Sequence, residues 1–105
     1  MSKNLKGGIH MLDKQGRLVI GKEILLRKGS ILVNHSVALF LAYNPFRIVV
    51  KDAELHFHNE GEYFIGTVKM DEKTRICIPS SVREIYSNNE YLPTFDGKDI
   101  CILII

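Results

Sequence analysis

The chain has 105 residues, 46% of them hydrophobic and 25% charged, with a formal net charge of +2. That size predicts a single domain with one shared core, because two separate cores of about fifty residues each would be marginal. No apolar run approaches the ~20 residues of a membrane-spanning helix. The first eight residues lack the hydrophobic segment of a secretory signal, so the expectation is a cytoplasmic protein with no membrane partner.

Charge is unevenly spread. Residues 1–30 carry seven bases against two acids, and residues 31–66 carry two bases against four acids. A basic first third beside an acidic middle suits a protein with one face for a polyanion. The competing reading is a solvated basic arm.

In chain order, residues 1–8 read as a flexible basic lead-in ending in Gly7-Gly8. Ile9–Leu12 reads as a strand, Lys14-Gln15-Gly16 as a tight turn with Gly16 available for positive φ, and Arg17–Ile20 as the return strand. The tip of this hairpin carries Lys14 and Arg17. Gly21 breaks the strand, and residues 22–28 predict a two-turn helix stopped at Gly29, with Ile24, Leu25 and Leu26 facing the core. Residues 31–33 are a strand or a linker. Val37–Ala42 is a continuously apolar strand, Tyr43-Asn44-Pro45-Phe46 a turn, and Arg47–Lys51 the strand that pairs back. Residues 54–65 alternate around Asn59-Glu60-Gly61 and predict a hairpin packed on the domain.

Then the opening pattern returns. Asp13, Arg17 and Ile20 recur as Asp71, Arg75 and Ile78, all 58 positions later. A repeat at constant offset marks a duplicated unit. In the second copy Thr67–Met70 leads in, the tip is Glu72-Lys73-Thr74, and Arg75–Ile78 returns. Thr74 stands where the first copy has Gly16, so the second turn is expected to differ in geometry, because a β-branched residue resists positive φ. Residues 79–86 predict a helix, with Ser81 and Glu84 at capping-box spacing. Residues 92–97 read as loop and turn. Residues 100–105 read as a final strand, too apolar to be left on an open edge. This copy lacks a partner strand, so the 54–65 hairpin or another chain is expected to fill the gap.

These residues carry a resemblance. Leu-Asp-Lys-Gln-Gly-Arg-Leu-Val-Ile, with its short helix and two strands, resembles the AbrB/MazE/SpoVT superfamily of swapped-hairpin DNA-binding domains. So does Met-Asp-Glu-Lys-Thr-Arg-Ile-Cys-Ile-Pro followed by Ser-Ser-Val-Arg-Glu. Two copies in one chain look like the tandem arrangement of MraZ. The likeness covers residues 9–51 and 67–86, and 87–105 more loosely. It implies a mostly β (α+β) fold, a swapped-hairpin β-barrel made by two β-β-α-β repeats of one chain about a pseudo-twofold axis. It also implies a transcriptional regulator that binds operator DNA, and hence a nucleoid-associated location. Arg17 and Arg75 at the tips and Arg83 on the second helix carry over as DNA contacts, with Lys14, Lys22 and Lys73 beside them. Leu25 stands at the position matching Arg83, and Gly21 where the family has Pro.

Physical chemistry points the same way. Lys and Arg gain affinity by releasing counterions at phosphates, and Arg reads guanine bidentately in the major groove, which admits a two-stranded ribbon. Lys14 in one tip faces Glu72 in the other, so the first tip is expected to bind more strongly. The competing reading pairs Arg17 with Asp13 and Arg75 with Asp71 across their own turns, which does not exclude DNA contact.

The remaining constellations are weaker. Cys77 and Cys101 read as reduced core thiols. His56 and His58 share a strand face but lack the further ligands of a metal site, so no metal or cofactor is expected. Tyr43 with Phe46, and Tyr63 with Phe64, read as packing rather than as base-stacking platforms. No catalytic motif appears, so neither an enzyme nor a small-molecule substrate is expected. Two alternatives stand beside the regulator. One is a MazE-like antitoxin, disfavoured because the sequence stops at Ile105 in an apolar strand without an acidic tail. The other is a partner-binding barrel that only self-associates; self-association is expected in either case.

Overall fold

The structure, a computed structural model, describes residues 11–29, 32–54, 59–86 and 88–105. Its elements are β1 (Arg17–Val19), α1 (Lys22–Lys28), β2 (Ser36–Ala42), β3 (Arg47–Asp52), β4 (Tyr63–Lys69), β5 (Arg75–Cys77), α2 (Ser80–Tyr86), β6 (Tyr91–Phe95) and β7 (Ile100–Ile104). The fold is mostly β with two short helices. The strands form a two-stranded sheet, β1-β5, and a five-stranded sheet in the order β4-β2-β3-β7-β6. These ladders do not close into a barrel among the described residues.

The central sheet follows from its apolar strands. β2 and β3 pair antiparallel, with Leu39 opposite Val50 and Phe40 opposite Val49. Side chains alternate across a strand, and both faces are covered. Val37, Leu39, Ile48 and Val50 join the main core, while Ala38, Phe40, Ala42 and Val49 form a second cluster with Cys101. Continuous apolar runs are what a sheet covered on both faces requires.

The two repeats share the main core. Leu18, Ile20, Ile24 and Leu25 of the first meet Met70, Ile76, Ile78 and Val82 of the second. Helix α1, from the first repeat, packs against β6 and β7 of the second. Its boundaries match the sequence reading, and Gly29 ends it in the left-handed conformation at φ 79°. Leu26, however, is 77% exposed. Three consecutive residues lie roughly 100° apart around a helix, and only two of them fit the buried stripe.

Four further expectations are corrected. The return strand Arg17–Val19 does not pair with its own lead-in; it pairs with Arg75–Cys77 of the other repeat. Ile9 and His10 lie outside the described residues, while Met11 and Leu12 are not in a strand. Residues 91–95 form a strand, not a loop, although Pro93 has no N–H to donate. It is tolerated because β6 pairs only with β7 among the described strands. The second repeat therefore lacks nothing: β7 lies between β3 and β6, paired on both sides. Finally, α2 begins at Ser80, with the Pro79 carbonyl accepting the N–H groups of Val82 and Arg83. Ser81 thus lies inside the first turn and cannot cap it. Of the expected 54–65 hairpin, residues 55–58 lie outside the described part; Asn59–Glu62 is a turn that leads into β4.

One ion pair is almost buried. Lys51 Nζ lies 2.9 Å from Glu62 Oε1, with side chains 6% and 9% exposed. Burial pushes the Glu62 carboxyl up, and the hydrogen bonds from Lys51 and Asn59 more than reverse this, holding it below its ordinary value. Removing one partner strands a buried charge. Lys51→Met should therefore lower stability by about 3 kcal/mol at neutral pH. Lys51→Met together with Glu62→Leu should recover most of that loss, as read by urea unfolding.

Candidate functional site

The two repeated turns are built alike, bond for bond. In the first, the Asp13 carboxylate accepts the backbone N–H groups of Gln15 and Arg17 at 2.9 and 2.8 Å. In the second, Asp71 accepts those of Lys73 and Arg75, both at 2.9 Å. The Gly16 N–H meets the Asp13 carbonyl as the Thr74 N–H meets that of Asp71, each at 3.0 Å. The expected difference between the turns does not occur. Gly16 has φ 77° and Thr74 has φ 61°. A non-glycine residue there costs free energy, and the Thr74 hydroxyl offsets some of it by accepting the Gly21 N–H at 3.1 Å.

These turns feed a ribbon that obeys the repeat. β1 pairs with β5 so that Leu18 lies opposite Ile76, its own repeat equivalent. The Ile20 N–H reaches the Thr74 carbonyl at 2.8 Å, and the Ile78 N–H reaches the Gly16 carbonyl at 2.9 Å. A 58-residue shift exchanges these two bonds, so a local pseudo-twofold axis passes through the Leu18–Ile76 pair. Both of those side chains are buried. Alternation then turns Arg17, Val19, Arg75 and Cys77 to the outer face.

Arg17 and Arg75 are diagonal partners on that face, a placement that sheet geometry sets at roughly 7–8 Å between backbones. Each Nε donates to the aspartate that opens its turn, at 2.9 Å to Asp13 and 2.7 Å to Asp71. The terminal nitrogens of both guanidinium groups make no hydrogen bond among the described residues. The two arginine side chains remain 32% and 25% exposed. The Asp13 and Asp71 carboxyls are held below their ordinary value, first by the backbone N–H of Arg17 or Arg75, against some opposing burial, and then by the same arginine's guanidinium. The intra-turn pairing suggested by the sequence is thus present, and it orients the arginines without covering them.

The other sequence-predicted residues are less alike. Lys14 and Lys73 are exposed in the two turns, and Lys22 is exposed at the start of α1. Arg83 is half-buried. Its Nε donates to the Ile78 carbonyl at 2.7 Å, and its side chain lies across Gly16, where a Cβ would come within 2.3 Å of Arg83 Cδ. Arg83 therefore braces the first turn, beside an open cavity of about 400 Å³ lined by Leu12, Asp13, Lys14, Gly16, Ser80, Arg83 and Glu84. The structure brings Arg17 and Arg75 together on the ribbon and sets Arg83 beside Lys14.

Cys77 is exposed, contrary to the core placement expected for it, whereas Cys101 is buried. Cys77 lies between the buried Ile76 and Ile78 on a strand, so it faces outward. That alternation was the signal that also places Val19 on the outer face. Burial raises the Cys101 thiol to about 12, with the nearby Asp96 carboxylate adding to the effect. Tyr43 stacks on Phe46 with ring centroids 5.1 Å apart, and Phe46 tilts onto Tyr86 at 5.0 Å. His56 and His58 lie outside the described residues. Among the described residues no group of three or more His, Cys, Asp or Glu is arranged around a metal position. No helix among the described residues is long and apolar enough to cross a membrane. Compared with family models, curated proteins and solved structures, the chain gives no match.

Two predictions follow from the turns. Gly16→Ala should cost about 2 kcal/mol, from positive φ and from displacing Arg83. In an Arg83→Ala background the same change should cost less, a coupling that a double-mutant cycle in urea would read. The aspartates predict an acid-side effect. Their folded values lie below the ordinary 3.8, so their contribution is present above 3.8 and lost as pH falls through the lower folded values. Thermal unfolding between about pH 5 and about pH 2 should show a flatter decline for Asp13→Asn with Asp71→Asn than for the wild type.

Proposed function

We propose that the chain is a sequence-specific DNA-binding transcriptional regulator that addresses duplex DNA with the outer face of the β1-β5 ribbon. On this reading the chain is a tandem swapped-hairpin domain resembling the AbrB/MazE/SpoVT kind, as in MraZ, with the two repeated turns as its tips. The observation that carries the reading is the pair of arginines, Arg17 and Arg75, set on one exposed face across a pseudo-twofold axis and each held by its own aspartate.

The physical fit has three parts. A two-stranded ribbon is the right width for the major groove. An arginine tethered through Nε still presents Nη1 and Nη2 to the O6 and N7 acceptors of guanine. Its tether also reduces the side-chain freedom to be lost on binding. Lys14, Lys22 and Lys73 add phosphate contacts, which set affinity and its salt dependence without reading sequence. Lys14 in the first tip stands where the second has Glu72, so the first tip binds the backbone more strongly. Arg83 supports the first tip from behind. The regulator acts by occupying its site, without chemistry.

Selection of bound duplexes from random DNA at two salt concentrations tests the reading directly, since no enrichment at either salt removes it. Against the selected duplex, Arg17→Ala with Arg75→Ala should weaken binding about a hundredfold or more and erase the preference for guanine at the contacted positions. Lys14→Ala or Lys73→Ala should weaken binding to all sequences alike and lower the salt slope by about one each. Wild-type affinity in the double arginine variant would show that the ribbon is not the reading surface.

A further inference from the structure

The outer face of the ribbon carries more than its arginines. Arg17 lies directly opposite Cys77, and Val19 directly opposite Arg75. The face is therefore a two-by-two tile, with an arginine diagonal crossed by an apolar one. Val19 is 45% exposed, and Cys77 is exposed as well. Leu18 and Ile76, which lie between them along the strands, supply the core contacts of this ribbon.

The local pseudo-twofold axis passes through the middle of the tile and treats the two diagonals differently. It exchanges Arg17 with Arg75, like for like, and Val19 with Cys77, unlike for unlike. The turns continue the inequality, for Lys14 exchanges with Glu72 and Gln15 with Lys73. Charge reading is thus nearly symmetric on the ribbon, and apolar reading is not. In the major groove the apolar feature that distinguishes one base from the others is the C5 methyl of thymine. Val19 offers two methyl groups at the surface. Cys77 offers one sulfur, which lies 3.6 Å from the Gln15 carbonyl oxygen as a weak donor to it.

We propose that Val19 is a specificity-determining residue that reads a thymine methyl in one half-site only, so that the chain binds an imperfectly palindromic operator in a single orientation. This inference rests on the DNA-binding reading above. Its partner chemistry is a thymine beside a guanine in the half facing Val19 and Arg75. The half facing Arg17 and Cys77 takes its guanine with no matching demand for the methyl.

The test uses the full chain and the tightest duplex recovered from random-sequence DNA, resynthesised with deoxyuridine for thymidine in one half or the other. This removes only methyl groups and leaves the protein untouched. Substitution in one half should weaken binding roughly fourfold, the factor that burial of one methyl group confers, and substitution in the other half should change it far less. Val19→Cys should remove the difference between the halves, and Cys77→Val should create sensitivity in the second half. Equal sensitivity, no sensitivity in either half, a recovered site with thymine in neither half, or a difference that survives Val19→Cys would overturn the assignment. Tight, selective binding with any of those outcomes leaves the DNA-binding reading standing and removes Val19 alone. Failure to bind any duplex removes both.

Discussion

The short ladder between β1 and β5 holds together what the rest of the molecule uses. It is only three residues long on each strand, yet each strand belongs to a different repeat, 58 positions apart. Bonds just beyond its ends, from Ile20 to Thr74 and from Ile78 to Gly16, lengthen it symmetrically. Its inner side chains, Leu18 and Ile76, enter the common core. Neither repeat could bury this strand alone, because its matching edge is in the other copy. The apolar surface gained on crossing outweighs the modest cost of closing so long a loop, which grows only slowly with length.

The same exchange recurs in the larger sheet. β3 of the first repeat pairs with β7 of the second, and the hairpins β2-β3 and β6-β7 flank that seam. Helix α1 crosses to lie on β6 and β7. The seam gives the last strand the double pairing that its apolar composition needs. The β1-β5 ladder sets the two aspartate-anchored turns at its opposite ends, with their arginines on one face between them.

Thr74 shows how duplication tolerates unlike residues in like geometry. A β-branched residue at positive φ is unfavourable, yet the Asp71 carboxylate binds the same backbone donors as Asp13 and imposes the same turn. The Thr74 hydroxyl then satisfies the Gly21 N–H. In the first turn that position must be glycine for a second reason, since Arg83 occupies the space a side chain would fill. The two copies differ both at positions that support the surface and at several on it, while Arg17 and Arg75 are equivalent.

The sequence by itself determined the repeat, the extent of α1, the β2-β3 hairpin, and the aspartate–arginine spacing of both turns. These depend on local chemistry: a glycine stop, an apolar run, and a carboxylate within reach of N–H groups two and four residues ahead. The exposure of Leu26 and Cys77 was also within reach of local geometry, through the helical turn and strand alternation, whereas the 91–95 strand depends on what lies across from it. Only the tertiary structure decided that β1 would choose β5, that Arg83 would brace the opposite turn, and that Val19 and Cys77 would share a face with the arginines. Strand partnership is a non-local choice, settled by which pairing buries Leu18, Ile20, Ile76 and Ile78 together, and no window of sequence contains both sides of it.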